Sequence, residues 1–78
     1  MDESEVQLKV RETIADITFN DLDEVIPDKP VANWDSAAQV MIIATLEDLY
    51  DVEFSPEEIS ELNTIEKLTE SVMAKLGS

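Results

Sequence analysis

The residues best suited to chemistry in this sequence are an adjacent pair, Asp35-Ser36, which follows a long run of turn-forming residues and precedes an apolar run. This order predicts a helix that begins at the pair, with Asp35 or Ser36 as its N-cap. The free backbone N–H groups and the dipole at a helix start favour a bound anion. A phosphate esterified to the Ser36 hydroxyl would gain about 0.3–1 kcal/mol from the dipole at an exposed position. The alternative is that the pair only caps the helix.

Other kinds of reactive site are poorly supported. The chain has no His and no Cys, so it lacks an imidazole base, a thiolate nucleophile, a disulfide framework and zinc-finger ligands. Asp21 and Asp23 fit the first and third positions of a calcium loop, but Ile26 stands where glycine is needed and Ala32 where a bidentate glutamate is needed. We therefore expect no specific metal site and no independent enzyme.

The charge of the chain restricts its partners. Nineteen Asp and Glu residues against five Lys and Arg residues give a net charge of −14, and no basic residue lies between Lys29 and Lys67. Such a field repels nucleic acid and anionic membranes and attracts basic protein surfaces. The acidic stretch is either a solvated face or a docking surface. With no apolar run long enough to span a membrane and no signal-type segment at the N-terminus, we expect no membrane span and a cytoplasmic protein.

Hydrophobic spacing predicts helices and no strands. Intervals of three and four residues define an apolar stripe on a first helix, with Ser4 as its N-cap and Arg11 on the solvent side. The stripe consists of Val6, Val10, Ile14 and Ile17. The pattern then breaks over residues 19–34, which we expect to form a long loop held to the core by its apolar side chains. Those side chains are Phe19, Leu22, Val25 and Ile26.

Three further helices follow from the same signals. The second is expected to run from Asp35 or Ser36 to about Asp51, and the third to open at the strong start signal Ser55-Pro56-Glu57-Glu58 and reach about residue 62. A fourth carries apolar residues from Ile65 to near Gly77. The predicted fold class is all-α: a single domain over residues 1–78, built as a small four-helix bundle with three longer helices, one short helix and a long loop between helices 1 and 2.

With these elements in place, the sequence resembles the acyl carrier proteins, the phosphopantetheine-bearing carrier domains of fatty-acid, polyketide and peptide synthesis. The resemblance covers nearly the whole chain. The family's modified serine follows an aspartate at the head of the second helix, as in Asp35-Ser36, and residues 46–54, 55–58 and 63–65 also match the family's pattern. The chain departs from the family at Ala37, where leucine is usual, at Asn33, where glycine is usual, and in the first turns of the second helix, where the usual acidic residues are replaced by Ala38, Met41 and Ala44. These departures suggest a specialised member, and the high acidity favours a free-standing one.

The resemblance implies a carrier that does no catalysis itself. A phosphopantetheinyl transferase is expected to place 4′-phosphopantetheine from coenzyme A on Ser36, with Asp35 as the adjacent motif residue. The arm would supply the thiol that the chain lacks, and acyl groups would be held on it as thioesters. A monomer is expected to deliver these groups to partner enzymes of fatty-acid, lipid or polyketide-type synthesis.

Two sets of residues are implicated by the same resemblance. Acyl-loading, acyl-transfer or condensing enzymes with basic and apolar patches are expected to dock on one side of the second helix, at Ala37, Met41, Ala44, Glu47 and Asp48. Acyl chains that fold back between the helices would meet a second set, each member of which is equally an ordinary core residue. This cavity set is Ile43, Leu46, Ile59, Leu62 and Leu68.

Three other functions remain open from the sequence. The cargo could be aminoacyl or peptidyl, the domain could be an unmodified acidic protein-interaction module, or it could be a small helical protein that responds to divalent cations. A gain of mass on Ser36 separates the carriers from the other two, whereas the cargo itself cannot be read from these residues.

Overall fold

Four helices and one 3₁₀ turn account for the regular structure of residues 2–77, the part of the chain that the computed structural model describes. The elements in order are α1 (Glu3–Thr18), the 3₁₀ turn (Leu22–Glu24), α2 (Ser36–Tyr50), α3 (Pro56–Glu61) and α4 (Ile65–Gly77). The all-α class, with three longer helices, one short helix and a long loop between α1 and α2, is confirmed. The 3₁₀ turn inside the loop was not predicted.

The helix starts are set by local capping. The prediction of Ser4 as the N-cap of α1 is wrong, because the helix begins at Glu3, two residues before the start that a Ser4 cap would give, and the Asp2 carboxylate accepts a hydrogen bond from Ser4 N at 3.1 Å. Asp2 is the N-cap because its carboxylate bonds to a free amide of the first turn, as aspartate commonly does at this position. The start predicted for α3 is confirmed: Ser55 N donates to Glu58 Oε1 at 2.9 Å and Glu58 N donates to Ser55 Oγ at 3.2 Å.

A core of aliphatic side chains joins α1, α2 and α4. α1 packs against both α2 and α4, and α3 packs against α2. Burying each such side chain contributes about 1.5–3 kcal/mol, which offsets the ordering of a short chain. The fully buried apolar residues are Val6, Val10, Ile14, Val25, Ile42, Ile43, Leu46, Leu68 and Val72.

The long loop is held down by one arginine and one valine. Val25 is fully buried, as predicted. Arg11 is half-buried and not on the solvent side: its Nε donates to Val25 O at 2.7 Å and its Nη2 to Leu22 O at 3.2 Å. The prediction that Phe19 packs on the core is wrong, because the α1 C-cap conformation turns its side chain out and leaves it 93% exposed.

Candidate functional site

Ser36 is the first residue of α2, and Asp35 is its N-cap. The Asp35 Oδ1 accepts a hydrogen bond from Ala38 N at 2.8 Å, so the capping role falls to the aspartate. The Ser36 side chain is exposed, and within residues 2–77 its hydroxyl has no hydrogen-bond partner. The amides of Ser36 and Ala37 lie ahead of the first intrahelical bonds and are free for an anion. Because Asp35 caps the helix, the Ser36 hydroxyl is free for chemistry.

Two asparagines fix the chain where it enters this helix. Asn33 has a left-handed backbone with φ 66°, a conformation that asparagine tolerates better than most residues, and its Nδ2 donates to Thr18 O at 3.2 Å. Asn20 Nδ2 donates to Ala32 O at 2.8 Å and to Thr18 Oγ1 at 2.9 Å. The end of α1 is therefore tied directly to the segment that leads to the serine.

A buried glutamine links α2 to α3 beside the serine. Gln39 is 8% exposed; its Nε2 donates to Ile59 O at 2.8 Å and to Leu62 O at 2.6 Å. Its Oε1 accepts a hydrogen bond from Trp34 Nε1 at 2.6 Å. Sequence reasoning missed Gln39, for which the only signal is an amide within an apolar run.

These residues surround a cleft of about 490 Å³ that is open to solvent next to the Ser36 hydroxyl. Its lining combines apolar and polar side chains, which suits a group that must remain accessible to other proteins. The cleft is lined by Trp34, Asp35, Ser36, Gln39, Val40, Ile59, Ser60 and Asn63.

Residues 2–77 contain no cluster of three or more carboxylates that could hold a metal ion. No helix in that range has the length and apolar character needed to cross a bilayer.

Comparison with known proteins identifies the family. Residues 8–72 match the family model described as the phosphopantetheine attachment site. The whole chain aligns with the whole of an acyl carrier protein from Thermosynechococcus vestitus, at 31% identity over 81 residues. The chain belongs to the acyl carrier protein family. No solved structure matches it.

Membership fixes the general role of this carrier. Acyl carrier proteins are carriers and not catalysts, so the expectation that the chain is not an enzyme is confirmed. Their cofactor is phosphopantetheine, and they work with transferases and synthase enzymes. The residues present fit such a group, because an exposed hydroxyl without a partner stands at a helix start whose free amides favour phosphate.

The carrier's candidate cavity residues fall into two environments. Ile59 is half-buried and lines the cleft beside Ser36, and Leu62 is half-buried against the core. The other three are fully packed inside the core: Ile43, Leu46 and Leu68. Their role in holding cargo stays a prediction, since a chain entering from the cleft would first have to part α2 from α3.

The predicted docking residues also divide. The exposed members of the set lie along one side of α2: Ala37, Met41, Ala44 and Asp48. Glu47 is only half-buried, but its Oε2 accepts a hydrogen bond from Phe54 N at 2.9 Å, which closes the turn after α2. This carboxylate therefore has a structural partner within the chain. A role for it in docking stays a prediction.

Proposed function

We propose that this carrier holds acyl groups on a 4′-phosphopantetheine arm attached to Ser36 Oγ. The observation that carries the proposal is the separation of roles at the start of α2: Asp35 caps the helix, and the Ser36 hydroxyl is exposed and unengaged. A serine needed only for capping would make the bond to Ala38 N that Asp35 makes here.

The chain's own residues prepare this position for a phosphodiester. Ser36 Oγ supplies the nucleophile: the Oγ–phosphorus bond forms as the pyrophosphate bond of coenzyme A breaks, adenosine 3′,5′-bisphosphate leaves, and the hydroxyl proton passes to a base of the transferase. The free amides of Ser36 and Ala37 and the α2 dipole favour the resulting negative charge. When bound, the arm supplies a thiol that carries acyl groups as thioesters. The protein contributes tethering, which raises the effective concentration of the cargo at its partners.

Partner enzymes are proposed to dock on the exposed side of α2. Its first three turns present the neutral residues Ala37, Met41 and Ala44, and Asp48 follows at the far end. We expect the phosphopantetheinyl transferase and acyl-loading, acyl-transfer or condensing enzymes of fatty-acid, lipid or polyketide-type synthesis to present an apolar patch with a basic rim. A single domain, a monomer and a cytoplasmic location belong to the same proposal.

Intact mass tests the attachment. The protein is incubated with coenzyme A and a broad-specificity phosphopantetheinyl transferase, and we expect a gain of one phosphopantetheinyl group that is lost in Ser36→Ala. Ser60→Ala is the matched control because Ser60 lines the same cleft, where its Oγ donates to Glu57 O at 3.0 Å. It should gain the full mass.

Three outcomes of that experiment would contradict the proposal. A gain that persists in Ser36→Ala would place the arm elsewhere, and a gain lost in Ser60→Ala would show that the cleft as a whole governs the reaction. No gain with several transferases is the result that an unmodified interaction domain predicts.

A further inference from the structure

Phe19 has a left-handed backbone conformation that is unfavourable for a bulky side chain. It directly follows α1 as the helix C-cap with φ 59° and ψ 35°, and its N–H bonds to Ala15 O. This left-handed position is the one usually taken by glycine or asparagine, because a bulky side chain there crowds the backbone. Asn20, the next residue, is one of the types that tolerate the conformation. Backbone geometry therefore does not explain why residue 19 is a phenylalanine.

Packing within the fold does not explain the phenylalanine at position 19 either. The Phe19 side chain is 93% exposed, whereas the other large exposed apolar residues lie between 36% and 57%. The ring buries almost no surface, so no packing energy offsets the strain of its backbone. A strained residue that the surrounding fold holds in place is a reason to look for function. Aromatic side chains, phenylalanine among them, are enriched at protein interfaces.

The residues on both sides of Phe19 are hydrogen-bonded to the segment that leads to Ser36. Thr18 O accepts a hydrogen bond from Asn33 Nδ2 at 3.2 Å, and Asn20 Nδ2 donates to Ala32 O at 2.8 Å. These bonds flank Phe19 on both sides in sequence, so its backbone is pinned to the chain two or three residues ahead of Asp35. A protein that reaches Ser36 directly must approach this corner of the bundle.

The chain on both sides of Phe19 carries exposed acidic residues. Asp16 lies three positions before Phe19 and Asp21 two positions after it, both exposed, and Asp35 is exposed at the head of α2. An enzyme that brings coenzyme A to a serine must hold several phosphate charges and so carries cations at the mouth of its site. Such a mouth complements the exposed carboxylates of Asp16, Asp21 and Asp35.

We propose that Phe19 is an aromatic docking anchor for the phosphopantetheinyl transferase, inserted into an apolar pocket with a basic rim. The inference rests on the proposed attachment at Ser36. The transferase must bring the serine itself into its active site, so its contacts lie close to Ser36. Enzymes that act later are reached by a flexible arm and can dock farther away. Ala37 beside the serine is small, and Phe19 is the most exposed large apolar side chain of residues 2–77.

Binding to the transferase without chemistry is the direct test. In a Ser36→Ala background, the Kd for a broad-specificity transferase loaded with coenzyme A is measured for the parent and for added Phe19→Gly, Phe19→Leu and Leu8→Ala. We expect Phe19→Gly to weaken binding by about 10-fold or more, the scale of an interface anchor. Phe19→Leu should retain most of the affinity. Leu8→Ala removes an exposed apolar side chain near the opposite end of α1 and should change nothing.

Thermal unfolding supplies a readout of opposite sign. Phe19→Gly should raise the Tm by about 2–5 °C, because glycine relieves the left-handed strain and little packing is lost. Weaker binding together with a higher Tm supports the anchor. Unchanged binding in Phe19→Gly overturns it, as does a fall in Tm, which would make Phe19 a structural residue. If Ser36 gains no arm in the wild-type protein at any transferase concentration, the proposed attachment itself has failed, and the mass measurement reports that separately.

Discussion

The two ends of α2 are fastened by different chemistry. At the Ser36 end the Asp35 carboxylate caps the helix, and the contacts to the rest of the fold are neutral: the Asn33 amide, the Trp34 indole and the Gln39 amide bond to backbone carbonyls and to each other. At the far end they are carboxylates. Glu47 closes the turn after α2 through Phe54 N, and Glu58 caps α3.

Glu58 makes several polar and ionic contacts at the far end of α2. It accepts hydrogen bonds from Ser55 N at 2.9 Å and from Ser71 Oγ at 3.2 Å, and it pairs with Lys75 at 3.0 Å. Lys75 Nζ also lies 4.9 Å from the centre of the Phe54 ring. The backbone bond from Ser55, followed by the bond from Lys75, lowers the pKa of Glu58 from 4.5 to about 2.

The contrast between the two ends of α2 shows where negative charge is compatible with a phosphodiester at Ser36. A phosphodiester at Ser36 would be repelled by carboxylates along the first turns of α2, and beyond the capping Asp35 those turns carry none. Neutral amides give that end its rigidity without adding charge. The carboxylates that build tertiary structure are kept at the other end of the helix.

The largest effect is expected at the neutral end, from Gln39→Met. Methionine keeps the volume but leaves the carbonyls of Ile59 and Leu62 and the indole N–H of Trp34 without partners, at a cost of about 2–4 kcal/mol in the free energy of unfolding. Urea unfolding followed by the emission of Trp34, the only tryptophan of the chain, measures it. The loss should be the same at pH 4 and pH 7, because none of these groups titrates.

Gln7→Met is the matched control for that substitution. Gln7 is the other glutamine of the chain; it is half-buried, and its side chain makes no hydrogen bond within residues 2–77. We expect a change within about 0.5 kcal/mol. Equal losses in the two variants would remove the distinction drawn for the Ser36 end.

The two ends also differ in how far the sequence predicts them. The Ser55–Glu58 capping box and the start of α2 at Asp35-Ser36 rest on contacts three residues apart, so residue types and spacing are enough to predict them. Gln39 bonds to carbonyls 20 and 23 residues away, and nothing local marks such a partner. Phe19 was misassigned because an aromatic residue after an apolar stripe ordinarily packs, and only the backbone geometry turns it out.

A smaller and pH-dependent effect is expected at the far end, from Glu58→Gln. At pH 7 the variant should lose about 1 kcal/mol in the free energy of unfolding, since it weakens the capping box and the pair with Lys75. The folded-state pKa is lowered, so the wild-type advantage is complete above pH 4.5 and declines as the pH falls from there to about 2. Urea unfolding at several pH values measures the difference between the two proteins.

Glu57→Gln controls for charge alone in that comparison. Glu57 lies in the same turn of α3 and is exposed. Removing its charge should leave stability unchanged or slightly raised at every pH, because like charges in this chain repel. A pH-independent difference between wild type and Glu58→Gln would contradict the ionic account of this end.

The smallest effects are expected from Glu47→Gln and Asp48→Asn, and they divide structure from docking. A neutral amide oxygen accepts from Phe54 N more weakly than a carboxylate, so Glu47→Gln should lose about 0.5–1 kcal/mol in urea unfolding. Asp48 is exposed and makes no such bond within the described chain, so Asp48→Asn should lie within about 0.5 kcal/mol of wild type. If the two variants are equally stable, the bond to Phe54 N contributes little and Glu47 is available for docking. If Glu47→Gln is the less stable variant, Asp48 is the position where a reversed charge tests partner association without destabilising the fold.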